Sequence, residues 1–422
     1  MHKEIILNSF LEYDRFLQTV DKVNKSVWNA LFSIRTYYAL YARSLRQQTM
    51  FSSLKHLLKI CYVLVFFPFF SCCISRDSKK VLLCTEDQMF LGLDHEIEIA
   101  RIERKWFFSF RLTGWLHVIV EFITCVRVLL SNKGIYKTNV MFFLFHLLDY
   151  LIIYQTVNMG KIKVLIVEND LFPAQVAIIQ KAKDCGIKTI KIEESFIDSI
   201  RHNNVLCEYY FCPGEFYYHI RSRFEINKEL KYLSGGMIGW DRLSHYKSLP
   251  SEEKRRILFI AQHSAVVDDI FYINEVLSAI GSDDLLYIKV HPRDARSRFR
   301  DYINNAQCVV IQDQAIDNYA LISKMDYCFS VSSVLAVEAK HIMDRVFFIN
   351  YGESSESDGF DYVGAGNYFD VVSSHQQLID ILKGEFKGKT KECCYKGFNQ
   401  GYPESQKKLK DCICEILGEV KK

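Results

Sequence analysis

The chain is poor in proline, with 6 in 422 residues, and it lacks the short motifs that announce phosphate or metal chemistry by themselves. No G-x-x-x-x-G-K-[ST] sequence occurs, which excludes a Walker-type phosphate loop. No G-x-G-x-x-G follows an expected strand, which excludes the dinucleotide fingerprint. No D-x-D sits in a loop that would hold a metal-bound nucleotide, so no required metal and no cofactor is expected. None of the 14 cysteines forms a C-x-x-C pair, and no Cys/His cluster has zinc spacing. Cys61, Cys84, Cys125, Cys308 and Cys328 lie inside apolar runs instead, as small buried hydrophobes of a reducing compartment do. An excess of one charge is also missing. Lys and Arg number 53 against 50 Asp and Glu, a formal net charge of +3, which argues against a dedicated nucleic-acid binder. Met1–Asn8 opens no secretory signal. Ile60–Ile74 is uncharged but shorter than the roughly 20 residues that span a bilayer, and Pro68 breaks it. It reads as buried core, as an interfacial membrane segment or as a span. Arg43, Arg46, Lys55 and Lys59 before it favour contact with anionic cytoplasmic lipid.

What is present is a globular composition, 49% apolar and 24% charged, of a length that suits two domains. Residues 1–78 read as a helical, apolar N-terminal segment, with Ile6, Phe10, Tyr13, Leu17 and Val20 at steps of four and three. Lys79–Cys84 reads as a strand, and 95–130 and 138–157 as apolar helices. From 161 the pattern becomes strand, loop, helix, strand. Ile162–Val167, Thr189–Ile192 and Glu208–Phe211 are short buried strands, and Ala174–Cys185 is a helix closed by Gly186. The polar stretch Ser248–Lys254 reads as a linker. A second unit follows, with strands at Arg256–Ala261, Leu285–Val290, Val309–Ile311, Tyr327–Ser330 and Val346–Ile349, and closing helices at 374–384 and 404–419. The expected fold is α/β, with two Rossmann-like domains (79–247 and 254–422) facing a central cleft. In open parallel sheets ligands sit beyond the carboxyl ends of the strands, so chemistry is expected in the loops that follow them.

Four such loops stand out. His291-Pro292-Arg293-Asp294 follows LLYIKV. A histidine there can donate to a phosphate or act as a general acid, with Lys289 and Arg293 adding positive charge. Ser330-Val331-Ser332-Ser333 precedes a helix and offers hydroxyls and free backbone N–H groups to a phosphate, although a plain serine cap explains it as well. Glu338, early in that helix, suits either a ribose hydroxyl or solvent. Glu193-Glu194-Ser195 pairs two carboxylates, one of which can serve as a base, or is solvated loop charge. Glu168 and Asp170, after the preceding strand, are the alternative base. Gln262-His263-Ser264 opens the second domain and can hydrogen-bond phosphate, base or acceptor. Asp268-Asp269 after it complements a helix N-terminus.

Taken in order, the acidic, H-P and serine loops resemble the motifs of bacterial sialyltransferases and polysialyltransferases, whose fold is the two-Rossmann B type. The acidic D/E-D/E-G motif corresponds to Glu193-Glu194 with Ser195 in place of glycine, the H-P motif to His291-Pro292 and the serine motif to Ser332-Ser333. The resemblance covers roughly residues 160–350. It implies that Glu193 or Glu194 is the base, His291 a phosphate ligand or acid, and Ser332 and Ser333 the phosphate clamp. It also implies an inverting, metal-independent transfer of a CMP-activated acidic sugar to a glycan or glycolipid acceptor. The enzyme would then lie at the cytoplasmic face of the membrane, in peripheral contact with it, and would bind no nucleic acid. The alternatives are a keto-deoxyoctulosonate transferase, a CDP-polyol phosphotransferase, or an inactive scaffold homologue in the assembly of a surface polymer.

Overall fold

The structure, a computed structural model, describes residues 15, 17–18, 25–32, 55, 57–61, 70–74, 81–84, 99–106, 112–131, 140–168, 170, 172–193, 205–224, 229–249, 254–262, 269–312, 315–351, 366–386 and 388–418. Its first sheet holds β1 (Phe70–Ile74), β2 (Val81–Cys84), β3 (Ile99–Trp106), β4 (Val164–Val167), β5 (Lys188–Ile192), β6 (Tyr209–Cys212) and β7 (Lys231–Ser234). They lie in the order β1-β3-β2-β4-β5-β6-β7, all parallel except the edge strand β1, which runs antiparallel to β3. The helices of this half are α1 (Lys25–Phe32), α2 (Leu112–Ser131), α3 (Val140–Thr156), α4 (Pro173–Asp184) and α5 (Glu215–Phe224). Pro173 at the first helical position and Gly186 at φ +69° just past the end bound α4.

The second sheet holds β8 (Arg256–Ile260), β9 (Leu285–Lys289), β10 (Cys308–Ile311), β11 (Tyr327–Ser330), β12 (Val346–Ile349) and β13 (Asp370–Val372). It is wholly parallel, in the order β10-β9-β8-β11-β12-β13. Between and after these strands run α6 (Asp269–Ala279), α7 (Arg300–Ile303), α8 (Asn318–Ile322), α9 (Val334–Ala339), α10 (His375–Leu382), α11 (Lys391–Phe398) and α12 (Ser405–Ile416). The chain goes outward from β8 through β9 to β10, then returns to β11 on the other side of β8. The order therefore reverses between β8 and β11, a topological switch point of the kind that opens a crevice at the carboxyl ends of strands.

Alternation along each strand divides the first sheet into two apolar faces. Val81, Val164, Ile166, Ile190, Ile192 and Phe211 pack on one side against Leu409 and Ile413 of α12. Leu165, Val167 and Tyr210 join the other face with Leu147, Leu148 and Leu151 of α3 and Val176 and Ile179 of α4. That same cluster continues through Met237, Trp240 and Leu243 to Leu258, Ile260, Cys328 and Ala336, so one core runs through both halves. The C-terminal helix thus leaves the second unit and covers the first sheet. Each fully buried Leu or Ile there contributes about 1.5–3 kcal/mol.

The halves meet where main chains approach closely. A Cβ on Gly214 would lie 2.2 Å from Gly397 O, and one on Gly236 would lie 2.1 Å from Ser405 Oγ. Asn399 Oδ1 accepts from Met237 N at 2.8 Å, Gln400 N donates to Pro213 O at 2.7 Å, and Asp241 Oδ2 accepts from Gln406 N at 2.9 Å.

Three sequence expectations change. The boundary at 78 divides a sheet, because Phe70–Ile74 is β1, and its pairing with β3 removes it from any membrane span. Among the described residues no helix is long and apolar enough to cross a membrane. Residues 99–106, expected within an apolar helix over 95–130, form β3 because β1 and β2 supply both ladders. The second unit does not keep 404–419, whose apolar stripe matches the first sheet instead. Residues 33–54 and 62–69 lie outside the described residues.

Candidate functional site

Registry places three strand ends of the second sheet in one row. Ile260 of β8 is level with Lys289 of β9 and with Ser330 of β11. Each chain then runs into a loop singled out in the sequence, and Gln262, His291 and Ser332 each stand two residues beyond that row. The switch point of the fold and three of the four candidate loops coincide.

The fully buried Ser330 holds this edge together. Its Oγ donates to Ile260 O at 2.9 Å and accepts from Ser333 N at 3.3 Å, tying β8 to β11 and shaping the turn into α9. Ser330 is therefore a strut. Ser332 and Ser333 are half-buried, and Ser333 precedes α9 without capping it through its side chain. His291 is half-buried, and its Nδ1 accepts from Arg293 N at 3.2 Å. The neutral ring then carries its proton on Nε2, which makes Nε2 a donor. Asp294 N donates to His291 O at 2.9 Å, while the buried Asp294 carboxylate pairs with Arg298 at 2.8 Å. Pro292 and Arg293 are exposed at the tip of this braced turn. Gln262 is half-buried, its N–H donating to the buried Asp269 Oδ2 at the start of α6. Asp269 stands in the first turn of α6, as expected of a helix N-terminal charge, and is buried there. His263 and Ser264 lie outside the described residues.

Glu338 faces the junction between the halves. Its Oε2 accepts from Tyr319 OH at 3.2 Å, and Arg242 Nη2 donates to the same Tyr319 OH at 3.1 Å. Burial pushes the carboxyl up to about 7, while the Tyr319 bond, Arg242 and Trp240 pull it back. Beside it on the same segment, His341 is buried with its Nδ1 3.2 Å from Val337 O, among the rings of Trp240, Tyr395 and Tyr402. Burial depresses its pKa to about 4, so the ring is neutral. Sequence reading missed this junction, since Trp240, Tyr319 and His341 are far apart in the chain and carry no shared pattern.

The carboxyl edge of the first sheet is charged. Lys191 and Asp170 form a buried pair at 2.6 Å, Lys191 Nζ also donates to Glu168 O at 3.2 Å, and Leu206 N donates to Asp170 Oδ2 at 3.1 Å. Asp170, the alternative base, is engaged as the counterion of a buried lysine. Glu168 is half-buried beside it. Glu193, next after β5, is buried, and its Oε1 accepts from Tyr210 OH at 3.2 Å. Tyr210 is level with Lys191, so Lys191, Glu193 and Tyr210 share one face of the sheet. Glu194 and Ser195 lie outside the described residues. Among the described residues no group of three or more His, Cys, Asp or Glu is placed to hold a metal.

Comparison with solved structures identifies the architecture. A putative UDP-N-acetylglucosamine 2-epimerase from Listeria monocytogenes aligns with TM-score 0.50 at 13% identity, over 82% of this chain and 98% of its own. The fold is that of the B-type glycosyltransferases. A UDP-GlcNAc 2-epimerase from Neisseria meningitidis aligns at TM-score 0.48 and 15% identity over 80% of this chain and 99% of its own. The wall teichoic acid polymerase TagF aligns at TM-score 0.43 and 10% identity over 89% of this chain and 100% of its own. No family model and no curated protein matches the chain.

Proposed function

We propose that this chain is an inverting glycosyltransferase that moves a CMP-activated acidic sugar onto a glycan or glycolipid acceptor. The observation that carries the reading is the row Ile260–Lys289–Ser330, which brings Gln262, His291 and Ser332 to one switch point in a B-type fold. The similar Listeria monocytogenes protein is a putative UDP-N-acetylglucosamine 2-epimerase, which supports a nucleotide-linked donor in this fold.

The donor phosphate would sit against His291 Nε2–H, the Ser332 and Ser333 hydroxyls and the free N–H groups that open α9. CMP carries a single phosphate, which such donors can stabilise as charge develops on the leaving oxygen, without a divalent ion. Glu193 or Glu194 would take the proton of the acceptor hydroxyl. The acceptor oxygen then forms its bond to the anomeric carbon as the bond from that carbon to the phosphate oxygen breaks, and CMP leaves with the electron pair. Ser330 and Asp294 hold the donor loops, and Glu338 holds the junction beside them.

The test is calorimetric titration of CMP, CDP, UDP and GDP into wild type and His291→Ala. CMP selectivity lost on removing the imidazole is expected, with a stabilisation of about 2.7 kcal/mol at 100 times the dissociation constant in wild type, read as a raised melting temperature. A preference for UDP or GDP discards the acidic sugar while leaving the fold. A preference for CDP points to polyol phosphate transfer, and no binding by any of the four points to a scaffold.

A further inference from the structure

The helical layer of the first half has an apolar face that no described residue covers. Helix α2 buries Val118, Phe122, Cys125 and Leu129 against the core, at helical steps of four and three. Its opposite face presents Leu116 at 48%, Val120 at 60% and Ile123 at 44% exposure, continued one turn on by exposed Arg127. Three large apolar side chains in one such row are not the scattered singles of an ordinary surface. The neighbouring segment 57–61 repeats the composition, with Leu57 and Leu58 exposed and Lys55 and Lys59 exposed around them. Lys59 lies over the ring of Phe145 in α3, which fixes that segment to the same layer.

The charge of this surface has one sign. Glu121 is the acidic residue of α2, and it is buried and pairs with exposed His117 at 3.5 Å. Among the described residues of α1, α2 and 55–61 no acidic side chain is exposed, whereas Lys55, Lys59 and Arg127 all are. The whole chain carries only +3, so this is a local segregation of charge rather than a general basicity. An apolar row followed by Arg127, beside a segment that carries Lys55 and Lys59 and with no exposed acid among the described residues, matches the boundary between acyl chains and anionic headgroups. Contacts to the second half are made from the β6 and β7 ends, through Gly214, Gly236 and Met237, whereas β1 is the opposite edge.

We propose that the outer face of α2, with the 55–61 segment, lies on an anionic lipid surface, the helix parallel to the bilayer. No span is required, and the cleft remains open to both donor and acceptor. The inference is independent of which sugar is transferred.

The test is sedimentation of the full chain with vesicles of phosphatidylcholine alone and of phosphatidylcholine with phosphatidylglycerol. Binding to the anionic vesicles only, weakening as salt is raised, is expected, with a loss of about tenfold or more in Val120→Asp/Ile123→Asp. Milder Leu116→Ser and Val120→Ser, at exposed positions, guard against misfolding and should each weaken binding by a smaller factor with an unchanged melting temperature. Wild type left in the supernatant, or variants that sediment like wild type, overturns the proposal. So does a dimer in solution that the same substitutions dissociate, since the face would then belong to a second copy. Nucleotide titration of the same preparations reports on the cleft separately.

Discussion

The two carboxyl edges of this molecule use the same strand geometry for opposite electrostatics. In the second sheet the ends of β8 and β11 are joined by a hydroxyl, Ser330 Oγ to Ile260 O, with the end of β9 level beside them, and the loops beyond offer donors. In the first sheet the ends of β4, β5 and β6 are joined by the charges of Lys191 and Asp170 and by Tyr210 OH on Glu193. On the proposed reading, the second sheet's edge receives the donor phosphate through its loop donors, and the first sheet's edge keeps a carboxylate in place beside a buried cation. A parallel sheet dictates where a site opens, and the side chains two residues past the strand ends dictate what it can hold.

The sharpest way to break this contrast is to remove the cation. Lys191→Met leaves Asp170 as an uncompensated buried charge and should cost about 3–5 kcal/mol in urea unfolding, whereas Lys191→Met/Asp170→Leu should recover most of it. Equal loss in both variants would show that packing, not charge, holds the first edge.

Next in size is the response of the junction to pH. His341 is depressed to about 4, so between its ordinary 6.5 and that value the unfolded chain binds a proton that the folded chain refuses. Taken alone, this group loses about 3 kcal/mol of stability on acidification through that window. Glu338 is raised from 4.5 to about 7, so the folded chain keeps a proton that the unfolded chain releases, and stability is lost as pH rises through that window. The two windows overlap with opposite slopes, so the wild-type melting temperature should stay nearly level between about 4.5 and 6.5. His341→Phe should uncover a fall as pH rises, and Glu338→Gln a fall as pH drops.

Smaller effects test the contact between the halves and the first-sheet acid. Gly214→Ala puts a Cβ 2.2 Å from a backbone carbonyl oxygen, Gly397 O, which cannot turn aside as a side chain can. A loss of about 1–3 kcal/mol is expected from this overpacking, read as a lower melting temperature. Tyr210→Phe removes one hydrogen bond to Glu193 and should cost about 1 kcal/mol of stability. If Glu193 is the base, the same change should lower kcat, because the carboxylate loses the bond that positions it. An unchanged kcat would assign the base elsewhere.

Much of this architecture could be read from the chain itself. Short apolar runs bounded by Gly and polar loops located β4 to β6, β8, β9, β11 and β12 within a residue or two, because a strand buried on both faces leaves an uninterrupted signature. The H-P and serine loops were visible for the same reason, since each interrupts such a run at its carboxyl end. Strand β3 was not legible, because Ile99–Trp106 alternates with charges that suit a helix equally and only its partners decide. The bond from Ser330 to β8 was not legible, because a serine before a helix looks the same whether its hydroxyl points to a ligand or to a neighbouring strand. The partners of Asp170 and Glu338 were hidden on the same ground, since a carboxylate in a loop or helix shows nothing of its partner.

The sequence by itself determined two α/β units, their strand ends and the residue types beyond them, since hydrophobic periodicity and loop chemistry are local properties. Only the tertiary structure decided which strands are neighbours, that β8 and β11 form the switch point, that α12 returns to the first sheet, and that Glu338 and His341 serve the junction. Those facts rest on pairing and burial between segments up to hundreds of residues apart, and no local pattern encodes the partner of a buried charge or of a close-packed glycine.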